Sequence, residues 1–355
     1  MKIRPPKPLT VAALVGLAGL LGAYTHAQAE TKAPATTTLE AEMQDPVKQA
    51  AYRKEAESLM VCDPLKDAQQ KAAAFAQLAV MKWDRQQMGC GVRYGFELAQ
   101  AQPENVELQL QVLGAHVEYF SVLDKSYARL YSASPVKDVE LRLRWTETRE
   151  HSAQLLKGLA PLAGQVAEVS ALRGINTLLS VQREASEKEK LTAPGLALGD
   201  LEAAIKAKPD VLDGAALLTL GSVIATLPEF AGGDTERAIQ LFEQGTSLKP
   251  QNLQLKTALV GAELGERNNQ KALDVLREAA NLNDEGQNEQ DYADSLRIMV
   301  GQATRLDQRD LAKQIDVKRD AFLAAHPYLD KRKTSAAAGH GGVDPFTGQD
   351  PEKIQ

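Results

Sequence analysis

Apolar side chains recur every three or four positions along most of the chain. The spacing is clear in the segments 50–59, 72–82 and 108–120. This period places apolar side chains on one face of an α-helix, whereas a half-buried strand needs an apolar residue at every second position. No long run of strict alternation occurs in the sequence. The pattern therefore predicts helix after helix over 45–327.

Six short breaks separate the predicted helices. Each contains a proline or a helix-capping residue, which ends one helix or fits the first turn of the next. The breaks lie at residues 62–64, 102–104, 134–135, 192–195, 208–210 and 249–251. The pattern also predicts a long helix over 104–131 and a further pair of helices over 135–157 and 158–182.

The most regular spacing lies in the C-terminal half. A tetratricopeptide repeat is a helical hairpin of about 34 residues. Its second helix carries two small residues that let the helices approach closely, a large residue between them, and a final proline. Three segments match this spacing, with Ala197, Leu201, Ala204 and Pro209; with Ala238, Phe242, Gly245 and Pro250; and with Ala272, Leu276 and Ala279. Leu220 and Gly221 fit the first helix of one hairpin. The spacing predicts an all-α protein of stacked helical hairpins, a solenoid of tetratricopeptide type.

The sequence predicts five segments, of which residues 1–29 are the first. We assign the repeats to residues 191–328. Residues 45–190 are less regular, and we interpret them as degenerate helical hairpins in the same stack, with a separate helical bundle as the alternative. Residues 30–44 and 329–355 contain few side chains that could pack, so we expect a flexible lead-in and a disordered tail.

The predicted repeats also define a groove. In such repeats the first helix of each hairpin lines a concave face, and two successive helices supply its residues. The predicted groove residues are Ala215, Leu218, Ser222, Ala225, Gln254, Thr257, Gly261 and Leu264. None is charged, so recognition of a C-terminal carboxylate, which needs Lys or Arg, is not expected. The groove suits an apolar helix, an extended peptide or an amphipathic small ligand. The alternative is that neighbouring helices cover these side chains.

The N-terminal sequence has the pattern of a secretory signal peptide. Lys2, Arg4 and Lys7 precede an apolar run of about 13 residues, and residues 27–29 form the small-x-small cleavage site Ala-Gln-Ala. The run is shorter than the ~20 residues that span a bilayer. We expect that residues 1–29 are removed and that the mature protein is soluble and periplasmic. An uncleaved N-terminal anchor is the alternative.

Composition and charge narrow the function classes. Of the 355 residues, 44% are hydrophobic but only 5% are aromatic, which suits helices better than a β-sandwich or barrel. The formal net charge is −6, and it becomes −9 without the signal peptide, which holds three basic residues and no acidic one. Since there is no excess of basic residues, we do not expect nucleic-acid binding.

No constellation of catalytic or metal-binding residues stands out. His116, His151, His326 and His340 are scattered, without ligand spacing. Neither a nucleophile elbow nor a phosphate loop occurs. We expect no enzymatic activity, no metal and no cofactor. The glycine-rich segment 89–95 differs from a dinucleotide-binding loop in its last spacing, and no strand precedes it, so we interpret it as a helix break.

Cys62 and Cys90 are the only cysteines. A straight helix over 64–87 would be roughly 36 Å long, far beyond the ~6 Å between Cα atoms that a disulfide allows. A bridge therefore requires a turn within that segment. An oxidising periplasm favours pairing, and two buried free thiols are the alternative.

Residues 213–260 resemble the TRAP-transporter-associated tetratricopeptide family, the extracytoplasmic T-component. The resemblance rests on Leu220 and Gly221, on the repeat positions after them, and on a distinctive insertion between the two helices. The insertion residues are Leu227, Pro228, Gly232, Gly233 and Asp234. Members of that family are all-helical, can be trimers with a pore through each subunit, and include lipoproteins. No cysteine lies near the predicted cleavage site here, which leaves membrane tethering open.

The resemblance implies a binding or scaffold protein that partners the substrate-binding subunit of a TRAP transporter. Such a protein would present an apolar or amphipathic solute, and the family suggests a homo-oligomer, specifically a trimer. The alternative is a general cell-envelope adaptor that uses the same repeats to assemble protein complexes.

Overall fold

The structure is a computed structural model, in which part of the chain is described. The described residues are 45–130, 134–183, 185–229 and 232–329. The predicted signal peptide (1–29), the predicted lead-in (30–44) and the chain after residue 329 lie outside them.

The described residues form thirteen α-helices and contain no strand. In chain order the helices are α1 (Pro46–Ser58), α2 (Ala68–Leu78), α3 (Arg85–Ala101), α4 (Val106–Leu130), α5 (Pro135–Leu159), α6 (Ala167–Ser180), α7 (Glu187–Ala207), α8 (Ala215–Ile224), α9 (Thr235–Leu248), α10 (Leu253–Gly265), α11 (Asn269–Ala280), α12 (Glu289–Arg305) and α13 (Arg309–Ala325). Short 3-10 helices lie at Ala160–Leu162, Val211–Gly214 and Pro327–Leu329. None of the helices in this part of the chain has both the length and the apolar character needed to cross a membrane.

Successive helices pair into six hairpins, which are α2–α3, α4–α5, α6–α7, α8–α9, α10–α11 and α12–α13. The first helices of consecutive hairpins, from α4 to α12, also pack on one another in chain order and form an inner layer. The second helices form an outer layer, and α1 packs on α5. The predicted all-α stack of helical hairpins is confirmed. The predicted pairing of 135–157 with 158–182 is wrong, because α5 forms its hairpin with α4. The next helix, α6, pairs with α7, and Gly174 of α6 lets α7 approach closely.

Small residues hold the repeats together where the spacing predicts them. All nine small and large repeat positions of the second helices are buried. Leu220 and Gly221 of the first helix α8 are buried too, whereas Pro209 and Pro250 are exposed at turns. A Cβ atom added at Gly221 would lie 2.5 Å from the ring of Phe242, and one at Gly245 would lie 2.7 Å from Leu255. Real Cβ atoms do not approach other atoms this closely, so glycine at these positions permits the helix spacing.

The break predicted at 192–195 is wrong. Pro194 lies inside α7, which begins earlier, at a capping box in which the side chain of Ser186 accepts from the Glu189 N–H and the Glu189 carboxylate accepts from the Ser186 N–H. Proline inside a helix costs about 3 kcal/mol. Burial of Ala197 and Leu201 against α6 offsets this cost. The boundary predicted between residues 190 and 191 therefore falls inside a helix.

The segment 89–95 is not a helix break either, since it lies within α3. A Cβ at Gly91 would come 2.5 Å from the backbone nitrogen of Ala79, and one at Gly95 would come 2.6 Å from the ring of Phe75. The glycines let α2 lie close to α3. Tertiary packing thus outweighs the local tendency of glycine to interrupt a helix.

A disulfide joins Cys62 to Cys90, with 5.6 Å between their Cα atoms. The required turn exists, because α2 ends at Leu78 and α3 begins at Arg85. Cys90 lies within α3, not after a helix as the sequence suggested. The bridge fixes the irregular segment before α2 onto the first hairpin.

Two lysines contact the last helix of the inner layer. Lys125 near the end of α4 forms an ion pair of 2.8 Å with Asp294 of α12, and Lys82 before α3 forms one of 2.6 Å with Asp291 of α12. Ion pairs therefore link the first and last helices of the inner layer, directly through Lys125 and through Lys82, which also contacts Glu118 of α4 at 3.4 Å. Leu329 is buried, so packing extends into the segment predicted as a tail from residue 329.

Candidate binding groove

A groove of about 510 Å³ opens on the inner layer, between α8, α10 and α12 and the start of α9. The residues that line it are Leu218, Ser222, Ala225, Thr226, Thr235, Phe242, Gln254, Thr257, Ala258, Gly261, Ala262, Gly265, Glu266, Ile298 and Gln302. Among them Glu266 is the only ionisable residue. The groove is large enough for a small apolar molecule or for several side chains of a bound segment.

Six of the eight predicted groove residues line this groove, namely Leu218, Ser222, Ala225, Gln254, Thr257 and Gly261. Ala215 and Leu264 do not line the groove, and each is buried in one of the two apolar clusters of the core. The row of groove residues on α10 continues from Gly261 to Gly265, four positions on, and Leu264 turns toward α11 instead. The prediction was wrong at the ends of the two helices.

Sequence reasoning missed the contribution of the next hairpin. Ile298 and Gln302 of α12 line the groove, although no repeat match covers that helix. Their spacing of four places both side chains on one helix face, and this signal is present in the sequence. Phe242 was predicted as a packing residue, and it also forms part of the groove wall.

Three polar side chains of the groove are engaged within the protein. The hydroxyl of Thr257 donates to the carbonyl of Leu253 at 2.6 Å, and that of Thr226 donates to the carbonyl of Ser222 at 2.6 Å. The Gln302 amide donates to the Thr257 carbonyl at 2.9 Å, while its side-chain oxygen accepts no hydrogen bond from the described residues. The groove therefore offers apolar surface together with one amide oxygen, that of Gln302, that could accept a hydrogen bond from an occupant.

A second, polar pocket of about 300 Å³ shares Gln254 with the groove. Its wall includes Asp213, whose carboxylate lies 3.0 Å from the Lys249 ammonium. This hydrogen bond raises the pKa of Lys249, with desolvation opposing it. The backbone of Leu212 and Asp213 is left-handed, with φ of 51° and 58°, which is costly for residues other than glycine. Asn252 supports this turn by donating to the Asp213 carbonyl at 3.2 Å.

The insertion that carries the family resemblance lies at one end of the groove, between Thr226 and Thr235. Asp234 caps α9, since its side chain accepts a hydrogen bond from the Arg237 N–H at 2.8 Å. Gly232 has a φ of 93°, and Gly233 packs against the Leu227 carbonyl so closely that no Cβ would fit. Leu227, Pro228 and the two glycines thus form a tight, glycine-dependent turn. Residues 230–231 lie outside the described residues.

Two of the described histidines lie close together in the N-terminal half. Within the described residues no cluster of His, Cys, Asp or Glu has the makings of a metal site. His116 and His151 are nevertheless close, with ring centroids 5.7 Å apart, and His151 stacks on Phe96 at 3.7 Å. Burial lowers the pKa of His116 to about 3, so the ring is neutral at pH 7. His340 lies outside the described residues.

Comparison with known proteins adds no relative. No protein-family model matches the chain, and no curated protein matches its sequence. The groove and the polar pocket beside it are therefore the features on which a function can be based.

Proposed function

We propose that the protein is a non-enzymatic, periplasmic helical-repeat protein that binds the substrate-binding subunit of a TRAP transporter and presents an apolar or amphipathic solute. The observation that carries the proposal is the groove of about 510 Å³ with a nearly uncharged lining on the inner layer of the helical stack.

The lining supports an apolar occupant. The hydroxyls of Thr226 and Thr257 donate to the carbonyls of Ser222 and Leu253, so an apolar group placed beside them leaves neither hydroxyl without a partner. Burying apolar surface then provides the driving force, at about 25 cal/mol per Å². A charged carboxylate would find no Lys or Arg in the described lining, which argues against clamping of a peptide C-terminus.

The neighbouring polar pocket supports an amphipathic occupant. Gln254 lies between the groove and the pocket, and Asp213, Glu285 and Lys249 line the pocket. A molecule with an apolar tail and a polar end could place the tail in the groove and hydrogen-bond its polar end in the pocket.

The choice of a TRAP partner rests on the resemblance of residues 213–260. The insertion between Leu227 and Asp234 lies where the groove ends, since Thr226 and Thr235 flank it and line the groove. A partner that contacts the insertion would therefore cover the groove mouth, as transfer of a solute requires.

A general envelope adaptor is the second candidate function, and α7 favours it. Leu191 and Leu196 are 69% and 66% exposed on this helix. Gly195 and Gly199 lie on the same helix, and a Cβ atom added at either position would have open space within 4 Å. Other helical glycines, such as Gly221, permit packing inside the chain, whereas these two leave room for close approach of a helix from outside, including one from a second copy.

The proposal is tested by affinity capture from a periplasmic extract of the source organism, followed by quantitative mass spectrometry. The groove variant is Gly261→Phe, because the only atom within 4 Å of a Cβ there is Gln302 Nε2 at 3.6 Å. The matched control is Gly301→Phe, on an exposed helix position with nothing within 4 Å. Both variants replace a helical glycine, so both should fold.

The proposal predicts that the wild-type protein and Gly301→Phe enrich a TRAP substrate-binding subunit, and that Gly261→Phe does not. Enrichment of outer-membrane assembly or division proteins without a solute-binding protein would favour the adaptor instead. Equal capture by all three proteins would show that the groove is not the binding site.

A further inference from the structure

The apolar core consists of two clusters that meet at α10. Leu255 and Leu259 of this helix belong to the larger cluster, which extends from α2 to α10. Leu253 and Val260 belong to the smaller cluster, formed by α10 to α13 and Leu329. We call α11–α13 with residues 327–329 the C-terminal body. Its apolar attachment to the rest of the chain runs mainly through α10.

The C-terminal body has a second attachment, which consists of ion pairs and a single aromatic side chain, Trp83, that packs on the smaller cluster. Lys82 contacts Asp291 at 2.6 Å and Glu118 at 3.4 Å. Lys125 contacts Asp294 at 2.8 Å. We call this contact between the N-terminal hairpins and α12 the seam.

Two further contacts lie at the seam. The Asn288 amide donates to the Val80 carbonyl at 3.5 Å, and the rings of Trp83 and Tyr328 lie 4.8 Å apart. Tyr328 is 47% exposed, whereas Trp83 is partly buried and packs against the smaller apolar cluster.

The two attachments differ in what their separation costs. Separating the C-terminal body from α10 would expose Leu253, Val260 and their apolar partners to water. Opening the seam would expose one partly buried apolar side chain, Trp83, and would rehydrate the buried charges of Lys82, Glu118 and Asp291. The desolvation of buried ion pairs offsets much of their attraction, so the seam is the weaker attachment.

The groove is lined from both sides of this division. Leu218 and Ser222 of α8 lie on the side of the larger cluster, whereas Ile298 and Gln302 of α12 belong to the C-terminal body. The separation of α8 from α12 sets the width of the groove. Any rotation of the C-terminal body about α10 therefore changes the groove directly.

We infer that the C-terminal body swings about α10 as a unit, and that the seam is the gate whose opening widens the groove. The inference concerns the free protein and holds whichever molecule the groove binds. It gives the ion pairs of the seam a role, because the occupant enters when the seam parts and is held when the ion pairs form again.

Amide hydrogen exchange followed by mass spectrometry tests the inference on the full chain with its disulfide intact. The two seam variants are Lys125→Gln and Tyr328→Ala, both at partly exposed side chains, so that the fold is retained. The control is Arg173→Gln, which removes a partly exposed ion pair with Asp200 between α6 and α7, away from the seam.

Each seam variant should speed amide exchange throughout α11–α13 about tenfold, because each removes one partly buried contact, charge-assisted in one case and aromatic in the other. Exchange in α6 should not change. The control should leave α11–α13 unchanged. Faster exchange confined to a few residues around the substitution, equal acceleration along the whole chain, or no change in α11–α13 would each overturn the inference.

Discussion

Gly221 offers a sharp test of how the hairpins pack. A Cβ at this position would lie 2.5, 2.8 and 3.0 Å from three ring atoms of Phe242, where ordinary carbon contacts are about 3.5–4.0 Å. In Gly221→Ala the ring must move by about 1 Å in a buried site. Overpacking of this kind costs about 1–3 kcal/mol, and the better helix propensity of alanine returns up to ~1 kcal/mol. We expect a net loss of about 1 kcal/mol in the free energy of unfolding.

The control is Gly199→Ala, because nothing lies within 4 Å of a Cβ at this exposed helix position. This variant should be more stable than the wild type by up to ~1 kcal/mol. Phe242→Ala should cost about 3–5 kcal/mol, because its ring is buried. In that background Gly221→Ala should become stabilising, which gives a coupling energy of about 2 kcal/mol.

Urea unfolding followed by circular dichroism, with the disulfide intact, measures all of these changes. The packing account would be refuted if Gly221→Ala stabilised the protein as much as Gly199→Ala does. A coupling energy within about 0.5 kcal/mol of zero would refute it equally, because distant and independent sites give that value.

Two further predictions concern the disulfide and the buried histidine. Cys62→Ser combined with Cys90→Ser should lower stability by about 3–4 kcal/mol, since the bridge closes a loop with a sequence separation of 28; thiol titration of the denatured, unreduced wild-type protein should find no free thiol, and two would contradict the bridge. Burial lowers the pKa of His116 to about 3 in the folded protein, so between pH 6.5 and 3 the imidazole is protonated only in the unfolded chain. The free energy of unfolding should therefore fall by up to ~1.4 kcal/mol for each unit by which the pH is lowered across this range. His116→Phe should reduce that slope in urea unfolding series measured at several pH values, and an unchanged slope would contradict the assignment.

The repeat positions were predictable because they depend on local spacing. The rows of Ala197, Leu201 and Ala204 and of Ala238 and Phe242 follow the helix period, and neighbouring repeats bury them in the same way. The groove was predictable for the same reason over the middle of α8 and α10. At the helix ends the prediction failed, because the packing of α11 and α12 decides which side chains of α10 after Gly261 face the groove.

Other features could not be read from the sequence because distant segments determine them. Gly91 is compatible with a helix only once α2 covers it. Pro194 is tolerated only because α6 buries the side chains that follow it. The contact of Lys82 with Asp291 joins residues 209 positions apart, and no local pattern marks such a pair.

Ligand binding by the groove can be measured directly by fluorescence titration with N-phenyl-1-naphthylamine, a neutral apolar probe that brightens when it leaves water. The account predicts saturable binding at one site per chain for the wild-type protein and for Gly301→Phe. In Gly261→Phe the new ring fills the groove, and we expect affinity to fall at least about tenfold, which corresponds to ~1.4 kcal/mol. Binding by Gly261→Phe as tight as that of the control, or no saturable binding by the wild-type protein, would contradict the claim that the groove on the inner layer is the binding site.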